Sequence, residues 1–275
     1  MFYQLTSRAL IAVKGEEWRP FLQNLLSNDV EALPVGQARA ALLLTPQGKL
    51  LFDLIVIAGE DWAYLDMDAA RREELVRRLT LYRLRAKLQF VLLDDRVWAA
   101  SGPSPGEGWI ADPRLPALGW RLYGSEPPTG PMADEDAFRA HCLSLGVPDP
   151  LRDCTPDKTF PLEADFDLLN AIDFHKGCYV GQETTSRMKR RSAVKTRMIP
   201  IAFDGPALPV GAQVTVGDLR AGDVLSGGAG RAMALLRLDR ALSGPLAVDG
   251  RPVTLDVPSW WPQDTLPKAG TDEPD

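Results

Sequence analysis

The spacing of apolar positions predicts alternating strands and helices in the first part of the chain. Alternation in "SRALIAVKG" predicts a strand, and helical spacing of apolar residues in "EEWRPFLQNLLSNDV" predicts a helix with one buried face. Three strand-like runs follow, "ARAALLLT", "KLLFDLIVI" and "WAYLDM", with "TPQG" as the turn between the first two. The buried face of the helix is predicted to consist of Trp18, Phe21, Leu22, Leu25 and Leu26.

Two further helices are predicted downstream. The run "AARREELVRRLTLYRLRAKLQF" has the pattern of a long amphipathic helix, with Leu75, Leu79 and Tyr82 facing the core and arginines facing solvent. Strands are expected in "KLQFVLLDD" and "RVWAA". In "ADEDAFRAHCLSLG" we expect a helix capped by Asp134 and ended by Gly146.

The pattern changes after about residue 196. Short strand-like runs separated by Gly and Pro, such as "RMIPIAF", "AQVTVG" and "PVTLDV", are typical of a small β-barrel. The order of elements predicts an α+β fold, with helices on one face of a mainly antiparallel sheet, followed by this barrel. The expected divisions are an α+β lobe over 1–100, a second α+β lobe over 101–195, the barrel over 196–260 and a disordered tail over 261–275.

Composition narrows the class of protein. The 275 residues carry a net charge of −6, which disfavours general nucleic-acid binding, and no apolar run approaches the roughly 20 residues that cross a bilayer. The N-terminus lacks the pattern of a secretory signal, and three widely spaced cysteines argue against a disulfide framework, so we expect a cytoplasmic location. With only His141 and His175 present, a histidine-built metal site is not expected.

The stretch "HKGCYVGQE" holds the strongest chemical signal. Its glycines permit close approach of a ligand to the backbone, and the cations around Cys178 favour the thiolate, which is the nucleophile and metal ligand. Tyr179 can stack on a flat heteroaromatic ring, while Gln182 and Glu183 can bind its edge. A structural turn with a buried Cys178 explains the same residues, and spacing alone does not decide between the two interpretations.

Two neighbouring segments also have two interpretations each. The run "RMKRRSAVKTR" suits an anion site for polyglutamate, phosphate or RNA, or else a solvated face; it has no interleaved aromatic residues to stack on bases. Glu163 and Asp165 lie in a mixed apolar and acidic context. A carboxylate there could bind the amidine-like edge of a pterin, or it could lie on a surface loop.

"KGCYVGQE" resembles the KGC-aromatic-x-GQE signature of the YgfZ-type proteins, which are folate-binding relatives of the glycine cleavage T-protein (aminomethyltransferase). Those proteins are implicated in iron–sulfur cluster maintenance and, through it, in tRNA modification. Looser similarity extends from about residue 5 to about residue 258, in "KGEEWRPFLQNLLSNDV", "LLLTPQGKLLFDLIV", "LYRLRAKLQF" and "GDVLSGGAGRAMALLRLD".

The resemblance implies two ferredoxin-like α+β lobes and a C-terminal β-barrel in a ring-like arrangement, with tetrahydrofolate as the cofactor in a central channel. By position, Glu163 matches the carboxylate that grips the pterin, and Cys178 matches the functional cysteine of the family. The other residues that it implies as channel lining are Asn28, Asp53, Lys176, Gly177, Tyr179, Gln182 and Arg187.

One departure from the T-protein pattern separates the functional hypotheses. T-proteins have adjacent aspartates before "LIV", whereas this chain has Phe52 and Asp53, and phenylalanine cannot take a proton. We therefore expect a folate-binding accessory factor whose partners are iron–sulfur proteins or their assembly factors, with no membrane partner. The alternative is an aminomethyltransferase or folate-dependent demethylase in which Asp53 is the base. Direct RNA binding through residues 187–197 is the weakest hypothesis.

Overall fold

A computed structural model describes residues 1–190 and 194–266 of the chain. Residues 191–193 of the basic run and 267–275 of the expected tail lie outside the described residues. The chain separates into two compact units. Unit 1 comprises Met1–Phe138, Thr155–Pro161 and Phe166–Arg187, and unit 2 comprises Arg139–Cys154, Leu162–Asp165 and Met188–Asp275.

Unit 1 contains two five-stranded sheets. The first is antiparallel throughout and has the strand order β3-β4-β5-β2-β6. Thr45 and Gly48 make the predicted turn between β3 and β4, where Thr45 N–H donates to the carbonyl of Lys49 at 2.8 Å. The strands are β2 (Arg8–Lys14), β3 (Ala38–Leu44), β4 (Leu50–Ala58), β5 (Trp62–Asp68) and β6 (Gln89–Leu93).

The second sheet has the order β10-β1-β7-β9-β8 and is antiparallel except where β1 and β10 run parallel. Its strand β7 follows β6 after a short turn, so the two sheets are consecutive in the chain. The strands are β1 (Phe2–Gln4), β7 (Arg96–Ala100), β8 (Ile110–Ala111), β9 (Trp120–Gly124) and β10 (Met132–Ala133).

Helices α1 (Trp18–Gln23) and α2 (Arg72–Arg83) share one apolar core with the first sheet. Of the predicted inward residues, Leu75 and Leu79 are fully buried, but the prediction for Tyr82 is wrong because that side chain is 37% exposed. The helix ends at Arg83, earlier than the pattern indicates, so Tyr82 lies in a terminal turn where the inward stripe of Leu75 and Leu79 is not continued.

Helix α3 (Glu135–Ser144) begins and ends as its sequence predicts. Ala137 N–H donates to the Asp134 carboxylate at 2.8 Å, and Gly146 takes a φ of 73°. Cys142 is buried on this helix, as its apolar spacing indicates. Helix α4 (Gln182–Arg190) follows the "HKGCYVGQE" stretch.

Unit 2 contains a closed six-stranded barrel with the strand order β11-β14-β13-β12-β15-β16. The α+β class and the C-terminal barrel are therefore confirmed. No helix of the described residues has the length and apolar character needed to span a membrane. The elements are β11 (Thr196–Ala202), β12 (Gln213–Val216), β13 (Leu219–Gly228), β14 (Arg231–Arg237), α5 (Leu238–Ala241), β15 (Leu246–Val248) and β16 (Arg251–Leu255).

Candidate functional site

Cys178 is exposed, whereas the other two cysteines, Cys142 and Cys154, are buried. The interpretation of the stretch as a turn around a buried Cys178 is therefore wrong. An accessible thiol can react with a substrate, ligate a metal or exchange with a disulfide, and a buried one cannot without local opening.

Lys176 anchors the segment immediately before this thiol. Its ammonium donates to three backbone carbonyls, that of Gln23 at the end of α1 at 2.7 Å and those of Leu26 at 2.6 Å and Asn28 at 2.9 Å in the segment that follows. Carbonyls at a helix C-terminus lack intrahelical partners and favour a cation, so the bond to Gln23 caps α1, while the other two bonds join the loop to the segment after the helix. Burial lowers the pKa of Lys176 to about 8, even though nearby carboxylates favour the ammonium.

Two polar residues after α1 hold the same loop from the other side. Ser27 Oγ donates to the carbonyl of Ala171 at 2.6 Å and accepts from Leu42 N–H at 2.8 Å. The Asn28 amide donates to the carbonyls of Ala40 at 2.7 Å and Asn170 at 2.6 Å. The donors of Asn28 are thus used within the fold. Ser27 was not predicted as a site residue. Its place directly after the apolar positions Leu25 and Leu26 is a signal that its hydroxyl bonds to the backbone.

A second anchor follows the thiol. The Tyr179 ring is buried, with the Lys176 ammonium 5.3 Å from its centroid, and Gly181 takes a φ of 83°. A Cβ at Gly181 would lie 2.5 Å from the carbonyl oxygen of Thr45, so only glycine fits there. A Cβ at Gly177, in contrast, would meet no atom within 4 Å. Gly177 and Cys178 are therefore presented to solvent between two fixed points.

A cleft of about 440 Å³ lies beside the start of this loop. Phe174 and Ile172 give it an apolar side, and Arg39, Asp173 and His175 give it charged and polar groups. Oδ1 of Asp173 accepts from the backbone N–H groups of His175 at 2.7 Å and Lys176 at 3.2 Å. This volume falls in the range of small-molecule sites, roughly 300–1,000 Å³.

The Asp53 carboxylate is paired with arginine within unit 1. It accepts from Arg8 at 2.5 Å, and Arg8 also donates to Asp66 at 2.7 Å. Asp66 is fully buried and is bound on its other oxygen by Arg121 at 2.7 Å, which in turn binds Asp112 at 2.9 Å. Sequence analysis missed this chain of alternating charges, although Asp66 is a charged residue inside the strand-like run "WAYLDM".

The ionic state of this network is fixed by its geometry. Burial by itself would raise the pKa of Asp66, but the guanidinium groups of Arg8 and Arg121 outweigh it and hold that pKa below its ordinary value. Burial lowers the pKa of each arginine, and the carboxylates more than reverse the effect. The cavity next to Asp53 is about 10 Å³, room for roughly one water molecule.

The remaining predicted residues lie on other parts of the chain. Glu163 belongs to unit 2, where it is half-buried and its carbonyl accepts from Met198 N–H at 2.7 Å. Gln182 and Arg187 lie on α4, the first half-buried and the second exposed. Among the described residues, no group of three or more His, Cys, Asp or Glu side chains is arranged to hold a metal ion.

Part of the predicted basic face is not on the surface. Arg197 is buried in unit 2 and donates to Asp165 at 2.7 Å and to the carbonyl of Leu162 at 2.9 Å. The expectation that the exposed anion-binding run extends to Arg197 is therefore wrong, since a buried cation must be paired internally. The pair also removes Asp165 as a free carboxylate for a pterin.

Comparison with solved structures defines the fold. The chain matches a glycine cleavage system aminomethyltransferase T from Bartonella henselae with a TM-score of 0.75 over 94% of this chain and 84% of that chain, at 19% identity. Residues 195–263 match the family described as the CAF17 C-terminal beta-barrel domain. The fold is thus that of the aminomethyltransferases with a C-terminal barrel, and the candidate site is a single exposed thiol.

Sequence comparison identifies the family. The human iron–sulfur cluster assembly factor IBA57, a mitochondrial protein, is 32% identical over 308 residues, covering 94% of this chain and 85% of the relative. The mouse IBA57 protein is 30% identical over 311 residues with the same coverage. The chain belongs to the IBA57 family of iron–sulfur cluster assembly factors. The predicted relation to T-protein-like proteins of iron–sulfur metabolism is confirmed at this level.

The predicted cytoplasmic location is wrong, because these relatives are mitochondrial proteins. The prediction rested on the absence of a secretory pattern and of a disulfide framework. More than one compartment keeps thiols reduced, so cysteine usage could not separate them.

Proposed function

We propose that this chain acts in iron–sulfur cluster assembly through the thiol of Cys178, and thereby supports enzymes that carry such clusters, including those that modify tRNA. The observation that carries the proposal is the exposure of Cys178 on a loop held by Lys176 and Tyr179. Cysteine thiolates are the usual ligands of iron–sulfur clusters.

A single thiol supplies one ligand, and clusters of the common types use four. Since the described residues contain no further metal-binding group, the remaining ligands of a cluster at Cys178 come from a partner protein. The open space around Gly177 supports this, because nothing in the fold requires a glycine there and a partner can approach the backbone.

The test is complementation of a strain that lacks the native protein. We expect Cys178→Ser to fold normally and fail to restore a cluster-dependent tRNA-modifying enzyme, whereas Cys154→Ala, which alters a buried thiol, restores it. Full complementation by Cys178→Ser would overturn the proposal. In vitro, a cluster absorbance should form with a second iron–sulfur protein and wild type, and not with Cys178→Ser.

Tetrahydrofolate is the ligand we propose for the chain, since the resemblance implies it and the fold is that of an aminomethyltransferase. The donors of Asn28 and Lys176 are used within the fold, although Asn28 also lines the cleft beside the loop. We place the folate in this cleft. Phe174 would pack on the pterin ring, Asp173 would bind the amidine edge of the pterin, and Arg39 would bind the carboxylate of the folate's glutamate. A bound reduced folate would supply a one-carbon carrier.

Titration with tetrahydrofolate tests this ligand and its location together. Loss of affinity in Asp173→Asn, with Glu163→Ala unchanged, supports the cleft, and the reverse result supports the carboxylate that the resemblance implies. Asparagine at position 173 keeps the oxygen that caps the loop. No binding by wild type would remove folate and leave the proposal for Cys178 standing.

The transferase alternative requires Asp53 as a base, and two observations speak against it. The carboxylate is bound by Arg8, and the cavity beside it has room for about one water molecule. Formation of methylene-tetrahydrofolate from an aminomethyl-lipoyl carrier protein, abolished by Asp53→Asn, would favour the alternative.

A further inference from the structure

The end of helix α2 presents apolar side chains to solvent at a strained point of the backbone. Leu84, the residue after the helix, has φ 47° and ψ −104°, a region that only glycine occupies without strain. Its side chain is 88% exposed. This leucine therefore carries both backbone strain and exposed hydrocarbon, and neither cost is offset within unit 1.

Leu84 is part of a larger exposed apolar surface. Leu81, in the last turn of the helix, is 78% exposed. Tyr82 lies between them and is also exposed. We call Leu81, Tyr82 and Leu84 the apolar tip. Clusters of exposed apolar residues are typical of interaction surfaces.

Cations are in excess around the apolar tip, although the Glu17 carboxylate accepts from Lys87 N–H at 2.6 Å. Residues 75–93 contain five cations and no carboxylate. Arg77 and Arg78 make only long, exposed ion pairs with Glu73 at 3.8 Å and Glu74 at 3.6 Å. Within the part of the chain that the structure describes, no side chain forms an ion pair with Arg85, which is exposed beside Leu84.

Arginine side chains bind backbone carbonyls at both ends of the adjacent edge strand. Strand β6 is at the edge of its sheet, and Arg72 donates to the carbonyl of Leu93 at 2.9 Å and Arg83 to that of Leu88 at 3.0 Å. The exposed feature of this region is the apolar tip with its neighbouring cations.

We infer that the apolar tip and its cations form a peripheral contact with a membrane surface that contains anionic lipids. Leucine and tyrosine side chains enter the boundary between headgroups and acyl chains, while Arg77, Arg78, Arg85 and Lys87 bind lipid phosphates. The absence of a spanning segment, on which the expectation of no membrane partner rested, does not bear on such a contact. The inference is independent of the role proposed for Cys178.

Co-sedimentation of the full chain with vesicles tests the inference. Wild type should bind vesicles of phosphatidylcholine with phosphatidylserine, should bind phosphatidylcholine vesicles more weakly, and should lose affinity as salt rises. Leu84→Gly should lower the affinity about tenfold. Because glycine relieves the strain, the thermal midpoint of this variant should be no lower than that of wild type.

Matched variants separate the apolar and ionic contributions. Leu84→Met should bind like wild type, since it keeps the hydrocarbon, and Arg85→Ser should lower affinity about fivefold. Val210→Ser, at a 75% exposed position in unit 2, should have no effect. Failure of wild type to bind anionic vesicles, or equal binding by Leu84→Gly, would overturn the inference. Loss of complementation by Leu84→Gly without vesicle binding would assign the tip to a protein partner instead.

Discussion

The ammonium of Lys176 lies 2.7 Å from the carbonyl oxygen of Gln23, at the end of helix α1. This bond and its two companions join residues that are far apart in sequence and set the position of the loop that carries Cys178. The lysine of the KGC sequence therefore has a structural explanation within the fold, while the neighbouring cysteine has none and is left for function.

Replacement of this lysine should destabilise the protein. Lys176→Met removes three hydrogen bonds and leaves partly buried carbonyls without them, which should lower the free energy of unfolding by about 1–3 kcal/mol. The stability of Lys176→Arg should also be lower than that of wild type, because a planar guanidinium does not match three converging carbonyls. Urea denaturation measures both, with the exposed Lys14→Met as control. An unchanged midpoint for Lys176→Met would contradict the anchoring role.

The two glycines flanking the thiol should respond in opposite ways. Gly181→Ala should cost at least about 1 kcal/mol, because its φ of 83° and its contact with Thr45 leave no room for a Cβ. Gly177→Ala should leave the thermal midpoint unchanged, since a Cβ there meets nothing. If Gly177→Ala also supports cluster assembly fully, close approach of a partner at this position is excluded.

Thiol titration should separate the three cysteines by rate. In the native protein one thiol per chain should react rapidly with an aromatic disulfide reagent, and all three should react in denaturant. Cys178→Ser should abolish the rapid phase, and Cys142→Ser should keep it. Rapid reaction of two thiols in wild type would show that the exposure of Cys178 is not distinctive.

Removing the charge of Asp66, which lies between Arg8 and Arg121, should destabilise the fold. Asp66→Asn leaves Arg8 and Arg121 buried with half of their pairing lost, so we expect a loss of about 3–5 kcal/mol in unfolding free energy. Asp68→Asn, which lies at the end of the same strand and is more exposed, is the control. Equal stabilities of the two variants would show that the network is not a stabilising element.

A buried carboxyl in unit 2 predicts a particular dependence on pH. Burial raises the pKa of Asp153 to about 6, although the Ser226 hydroxyl donates to it at 2.5 Å. A raised pKa in the folded state favours the protonated form, so this group's contribution to stability is present at low pH and is lost as pH rises through about 6.

The Asp153 carboxyl should contribute about 1 kcal/mol more to the free energy of unfolding at pH ~5 than at pH ~7. Urea denaturation at the two values, in wild type and Asp153→Asn, isolates the contribution, because the difference between the proteins removes the other titrating groups. An identical pH dependence in both proteins would contradict the assignment.

Local sequence patterns were sufficient to predict most elements. The period of apolar residues identified α1, β2 to β5 and the barrel strands, and Asp134 and Gly146 marked the ends of α3, because these features depend on neighbours in the chain. Tyr82 was predicted wrongly for the same reason: helical spacing does not state where a helix stops.

The sequence alone determined that one short stretch concentrates reactive residues and that the chain ends in a barrel. Tertiary structure decided what each residue of that stretch does. Lys176 and Asn28 carry polar groups typical of a ligand site, but their partners are backbone carbonyls brought close by folding. Cys178 remains in solvent because no part of unit 1 covers it. Such pairings depend on contacts between distant segments, which local periodicity does not encode.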